Sequence, residues 1–362
     1  MAMTRQTSRK FKAICYYIGS WIVTTLGFAF LTQYGLGASI DLGIVLFILQ
    51  LGLFIGVAHG IYDVVILQDD VDHHSAFIAM LIRSTFYLAL ICTSIVLCVL
   101  LWNDRTSEGL LTEQSIGRVV ETFKEPRIHV LILVLFILAH LITFIRSVHK
   151  KFGTRVFVNT LLGKYQDPVE EDLVFMFIDM RRSTAIAEEL GHVTYSNFMK
   201  DYYKLLSNCC EENHGEIYQI AGDGAFITWK TSSCKHKARP VDMFFDFSEC
   251  LERTTRRFLK RYGIVPSFKA GAHCGKVIST EVGNFGSEMA YHGDVLNTTS
   301  RIQSLCAKLG QEFLISQELQ DILPKPLPHG YLSKKEGFFE LRGKKREILI
   351  FSLQKPLTNL NP

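Results

Sequence analysis

Two aspartates stand at the ends of short apolar runs. Asp179 closes the run from Val174 to Met180 (VFMFIDM), and Asp223 lies in Gly222-Asp223-Gly224 between Glu216 to Ala221 (EIYQIA) and Ala225 to Trp229 (AFITW). An apolar run bounded by charge reads as a buried strand, and two such runs around a glycine turn read as a hairpin. Strand ends hold side chains rigidly, so this order sets the two carboxylates side by side. Paired carboxylates on a rigid frame suit two divalent cations and phosphoryl transfer, one cation activating a hydroxyl and the other holding a triphosphate. A single aspartate in a turn is ordinarily only a solvated turn residue. A second group is Gly293-Asp294-Val295-Leu296-Asn297-Thr298-Thr299-Ser300-Arg301. Val295 to Ala307 reads as a helix, which puts Asn297 and Arg301 on one face. An amide beside a guanidinium can orient a ribose and stabilise charge on a transferring phosphate. On its own the same pair would also fit a plain surface helix.

The elements that must position these groups follow from the same stretch. Ser183 and Thr184 open a helix that Gly191 ends, and its first backbone N–H groups are available to phosphates. A longer helix runs from about Tyr195 to Asn213. The order is strand, helix, helix, hairpin.

The rest of the chain is of a different kind. It has 362 residues, enough for two domains, and is 48% hydrophobic with the long apolar runs before residue 150. Four segments, Phe11 to Leu31, Leu42 to Leu67, Ala76 to Trp102 and Ile128 to Ile145, are long enough to cross about 30 Å of hydrocarbon. Arg5, Arg9, Lys10 and Lys12 precede the first, and Arg146, His149, Lys150, Lys151 and Arg155 follow the last. By the positive-inside rule both termini are cytoplasmic, at the cell (inner) membrane. A cleaved signal peptide is disfavoured by the length of the first apolar run. His59, Asp63, Arg83 and His140 fall inside the spans. The two histidines could ligate haem, or the acidic loop Asp69 to His74 could bind a metal; the plain alternative for all four is interhelical hydrogen bonding. A net charge of +4 is too small for a nucleic-acid binder, so membrane lipid is the partner expected of this half. The nine cysteines have no metal-ligand spacing and read as free thiols of a reducing compartment. The expected organisation is an anchor of four helices over 1–149, a cytoplasmic linker over 150–171, a catalytic domain over 172–355 and a tail over 356–362.

Phe177-Ile178-Asp179-Met180-Arg181-Arg182-Ser183-Thr184, Gly222-Asp223 and Gly293-xxx-Asn297-xxx-Arg301 together resemble the class III adenylate/guanylate cyclase signatures, in order and spacing. Lys269 to Gly275 (KAGAHCG) resembles that family's central strand, and Leu341-Arg342-Gly343-Lys344 its C-terminal phosphate-binding segment. The resemblance implies an α+β ferredoxin-like (palm-type) domain behind a four-helix transmembrane bundle, of the membrane-bound bacterial type. It implies two Mg2+ or Mn2+ per site, held by Asp179, Asp223 and the Ile178 carbonyl. Asn297 would orient the ribose, Arg301 would act in the transition state, and Arg342, Lys344, Ser183 and Thr184 would take the phosphates. It further implies a homodimer whose sites draw metals from one chain and the Asn/Arg pair from the other. The base-selecting positions depart from the family: Gln219 stands where adenylate cyclases have lysine, and Ala290, beside His292, where they have Asp or Thr. Guanylate-cyclase residues are absent there too. The implied activity is conversion of ATP to 3′,5′-cyclic AMP and pyrophosphate, with GTP as the alternative substrate and a non-catalytic nucleotide-binding membrane sensor as the alternative role. A diguanylate-cyclase reading fails because Ala221-Gly222-Asp223-Gly224 replaces that family's turn.

Overall fold

A computed structural model describes residues 5–35, 42–66, 76–105, 112–152, 164–165, 167–282, 288–341 and 347–356. The chain divides into two compact units, Met1–Thr154 and Arg155–Pro362.

The first unit is helical: α1 (Arg5–Gly35), α2 (Leu42–Ile61) running into a π turn (Tyr62–Ile66), α3 (Ala76–Arg105), α4 (Glu113–Lys124) and α5 (Pro126–Phe152). Four of these helices contain stretches long and apolar enough to cross a membrane, Lys10–Leu31, Val45–Val64, Met80–Trp102 and Pro126–Ser147. Along α5, Val130, Leu133, Ile137, Leu141 and Phe144 recur at helical spacing and are exposed. An outward apolar stripe of this kind is what a lipid-facing helix presents. The short α4 was not anticipated; Thr112 caps it by accepting from the Ser115 N–H, and Pro126 then starts α5 in a position where its missing N–H costs nothing.

Several polar residues within this unit hydrogen-bond between helices, whereas the buried Nε of Arg83 has no hydrogen-bond partner among the described residues. Trp21 Nε1 donates to His59 Nδ1 at 3.0 Å, and His59 Nε2 therefore donates to Thr143 Oγ1 at 3.0 Å. Tyr87 meets the same oxygen at 2.9 Å. His140 Nδ1 donates to the Phe136 carbonyl, and its Nε2 accepts from Ser84. Both ring nitrogens of both histidines are thereby hydrogen-bonded. Asp63 accepts from the Tyr17 hydroxyl and lies 3.5 Å from Arg146. The Asp69 to His74 loop is outside the described residues.

The second unit begins with β1 (Val169–Met180), followed by α6 (Ser183–Leu190), α7 (His192–Glu212), β2 (Glu216–Ala221), β3 (Gly224–Lys230), α8 (Thr231–Cys234), α9 (Arg239–Tyr262), β4 (Phe268–Val282), β5 (Glu288–His292), α10 (Val295–Leu309), β6 (Phe313–Ser316), α11 (Gln317–Ile322), β7 (Leu332–Phe339) and β8 (Ile348–Gln354). The sheet order is β2-β3-β1-β4-β6-β8-β7, with β5 pairing β4. All pairs are antiparallel except β4 with β6. The anticipated elements are present, but β1 starts five residues before the apolar run. Glu170 pairs with Lys276 Nζ at 2.7 Å, and Glu171 takes Lys164 Nζ at 2.8 Å and Ser279 Oγ at 2.9 Å. These partners lie on β4 and on the segment before β1, so the charged start of the strand is invisible to a hydrophobicity argument.

Alternation along β1 divides the unit into two layers. Val174, Met176 and Ile178 point into the core with Phe198 and Tyr202 of α7 and Phe247 and Phe258 of α9. Leu173 and Phe175 point to the opposite face, where Val295 of α10 covers them. Asp179 shares that second face. Helix α10 comes so close to β4 that a Cβ on Gly271 would fall 2.3 Å from the Gln303 backbone nitrogen. Gly271→Ala must push the helix away, and overpacking of this sort costs about 1–3 kcal/mol. The expected result is a lower melting temperature of the full-length chain in detergent, followed by near-UV circular dichroism; an unchanged melt would show that the helix gives way freely. All nine cysteines are free thiols.

Candidate active site

The two aspartates come together at the end of the β1–β3 pair. Asp179 lies opposite Gly224 in the register, and the Met180 N–H donates to the Asp223 carbonyl at 3.4 Å. The turn that carries Asp223 is held from outside. Tyr203 on α7 donates to the carbonyls of Gly222 at 2.9 Å and Gly224 at 3.1 Å. Burial, and after it the Asp223 carboxylate, push the Tyr203 hydroxyl far above the usual phenol range, so it stays protonated as a donor. Gly224 is required because a Cβ there would meet the Phe177 ring at 2.7 Å. Gly222 has φ +62°, a left-handed turn position that favours glycine.

The Asp179 side chain, 23% exposed, has two further neighbours. Lys269 Nζ is 3.4 Å from Oδ2, and Gln303 Nε2 donates to the same oxygen at 2.9 Å. Beside them a cavity of about 300 Å³ is lined by Met180, Arg181, Arg182, Lys269, Cys306, Ala307 and Gly310. Three cations line this cavity, Arg181 also lying 3.5 Å from Glu312, and a cationic lining suits an anionic ligand. Ser183 is half-buried and Thr184 exposed at the first turn of α6, where no side chain caps the helix. Its first N–H groups are therefore open to a phosphate.

Asn297 is exposed and Arg301 half-buried on α10. Among the described residues, no side-chain hydrogen bond or ion pair joins either of them to Asp179 or Asp223 of the same chain. Gln219 is exposed on the edge strand β2, next to a bulge at Tyr218. Ala290 and His292 flank Tyr291 on β5, and the rings of Tyr218, which precedes Gln219, and Tyr291 meet at 4.7 Å. Arg342 and Lys344 lie outside the described residues. Lys269, Gln303 and Tyr203 are additions to the site that sequence reasoning did not supply. Lys269 was visible only as a strand residue, and Gln303 lies two residues beyond the Arg301 motif. Tyr203 carries no local signal at all.

The donor set fits Mg2+ or Mn2+. Two carboxylates and a backbone carbonyl are hard oxygen donors, and no group of three or more His, Cys, Asp or Glu competes for a metal among the described residues. The remaining ligands would be substrate and water oxygens, as is usual for Mg2+.

A mixed sheet with paired aspartates at its strand ends and an Asn/Arg helix on one face defines a nucleotidyl cyclase domain. Residues 166–355, more than half of the chain, match the model of the adenylate and guanylate cyclase catalytic domain, and the chain belongs to that family. It is 32% identical over 213 residues to "Adenylate cyclase 2" of Rhizobium meliloti (strain 1021), covering 59% of this chain and 58% of that one. It is 24% identical over 204 residues to "Receptor-type guanylate cyclase Gyc76C" of Drosophila melanogaster, covering 54% of this chain and 13% of that one. The chain thus spans little more than half the length of the first and a small part of the second. Its fold resembles a solved bacterial light-regulated adenylyl cyclase with a TM-score of 0.51 at 14% identity, covering 64% of this chain and 67% of that one.

Proposed function

We propose that the chain is a membrane-anchored adenylate cyclase that turns ATP into 3′,5′-cyclic AMP and pyrophosphate at two sites shared between two copies. The observation that carries this reading is the separation of its parts. Asp179 and Asp223 form one cluster with nearby cations, while Asn297 and Arg301 stand clear of it on an accessible stretch of α10. A second chain related by a two-fold axis can complete each site.

Asp179, Asp223 and the Ile178 carbonyl would hold two Mg2+ or Mn2+, which supply Lewis acidity to the attacking hydroxyl and the triphosphate when bound. Lys269, the N-terminus of α6 at Ser183 and Thr184, and Arg342 and Lys344 hold phosphate oxygens. Asn297 orients the ribose so that its 3′-hydroxyl faces the α-phosphate. Arg301 donates hydrogen bonds to the phosphate as negative charge builds on it. The four apolar helices anchor the chain in the inner membrane, with both termini and the catalytic unit on the cytoplasmic side where the basic residues cluster.

ATP is favoured by the identity to the rhizobial adenylate cyclase; GTP is the second reading, because Gln219 can both donate and accept and guanylate cyclases are also among the relatives. Purified full-length protein with Mg2+ or Mn2+, offered ATP or GTP, should release cyclic AMP resolved by chromatography. Release of cyclic GMP alone would reverse the substrate, and no cyclic product would leave a nucleotide-binding sensor. In the same assay Gln219→Lys should raise the ATP/GTP ratio of kcat/KM. A lysine ammonium can donate to N1 of adenine but meets the N1–H donor of guanine. An unchanged ratio would take Gln219 out of the base pocket.

A further inference from the structure

Gln303 is 3% exposed, and its amide nitrogen is given to one acceptor, Asp179 Oδ2 at 2.9 Å. A buried amide is costly unless it is hydrogen-bonded, so the contact fixes both partners. The backbone around it is fixed as well. Gly271 lets α10 lie against β4 at a distance that no larger residue would allow, and β4 is paired to β1 at Asp179 itself. The Asp179 carboxylate thus has one oxygen held from the α10 face and the other available. Lys269 approaches the same held oxygen at 3.4 Å, but its positive charge opposes a metal ion there. The neutral amide orients the carboxylate without offsetting the charge that a metal requires.

We propose that Gln303 is a positioning residue for the divalent-metal site: its N–H fixes the Asp179 carboxylate so that the free oxygen faces the metal. The proposal rests on the reading of Asp179 as a metal ligand. It also gives α10 two duties. The helix offers Asn297 and Arg301 to a shared site and, two residues beyond Arg301, holds a metal carboxylate of its own chain. The approach of a nucleotide to one site and the set of the carboxylate in the other are therefore joined through one rigid helix.

The test is Gln303→Met, which keeps the length and the burial and removes the donor, with Gln303→Leu as a second variant should the first fail to fold. Mn2+ alone is titrated into the full-length chain in detergent, and free Mn2+ is followed by its electron paramagnetic resonance signal. Removal of a group that orients a metal ligand weakens metal binding by about 10- to 100-fold, and that weakening is the expected result, with an unchanged melting temperature. In turnover, the metal concentration for half-maximal rate should rise by a similar factor while kcat at saturating metal is largely kept. Wild-type Mn2+ affinity in both Gln303 variants, with binding lost in Asp179→Ala, would overturn the proposal and leave Asp179 a ligand. Wild-type affinity in Asp179→Ala would overturn the ligand reading and the proposal together.

Discussion

Asp179→Ala and Asp223→Ala are each expected to abolish cyclisation in a chain that stays folded. Each removes a carboxylate from the strand-end pair, and the charge stabilisation supplied through such a ligand is worth several kcal/mol. At about 1.4 kcal/mol per tenfold, turnover should fall by on the order of a thousandfold or more. The fold should survive, because Asp179 is 23% exposed at a strand end and Asp223 sits in a turn held by Tyr203. The check is product formation by purified variants whose circular dichroism matches the wild type. Wild-type turnover in either would remove the two-metal mechanism.

The second large effect is rescue. Asp223→Ala and Arg301→Ala should each be nearly inactive as homodimers, for the first loses metal binding and the second loses charge stabilisation in the transition state. Arg301→Ala should act mainly on kcat. If metals come from one chain and the Asn/Arg pair from the other, a mixed dimer holds one site with both lesions and one with neither. By that symmetry, co-expression should restore about a quarter of wild-type activity, and tandem-purified mixed dimers about half. A verified mixed dimer without activity would place each whole site within one chain.

Much of this arrangement was legible in the sequence, because strand ends and glycine turns leave local marks. VFMFIDM and GDG placed Asp179 and Asp223 at neighbouring strand ends, the Asn297/Arg301 spacing placed that pair on one helix, and the apolar runs located four helices long and apolar enough to cross a membrane. The unreadable parts depend on partners far along the chain. The start of β1 is written in glutamates whose lysine and serine partners lie mostly on β4. Gln303 becomes part of the site only because α10 crosses β4 at Gly271, a contact with no local pattern. Tyr203 looks like any helix residue until the hairpin folds beneath it. The histidines of the helical unit gave a type and a depth but not the hydrogen-bond partners that the folded helices supply.

The pairing of β1 with β4 runs without interruption from Val169 opposite Ser279 to Met180 opposite Phe268. At about 3.4 Å per residue, it forms a beam of about 34 Å between Val169 and Asp179. Such a beam cannot slip, since a shift of one residue would turn Asp179 from the α10 face into the opposite layer. Nor can it change the spacing of Asp179 and Asp223, which the register against β3 locks. A push delivered at Val169 therefore reaches the far end as a displacement of the whole catalytic unit. In a shared-site enzyme the one distance left to adjust is that between the aspartates of one copy and the Asn/Arg pair of the other. On the proposed shared site, control of turnover would be a matter of alignment between two stiff halves, like the jaws of a vice, with output set by how squarely they meet.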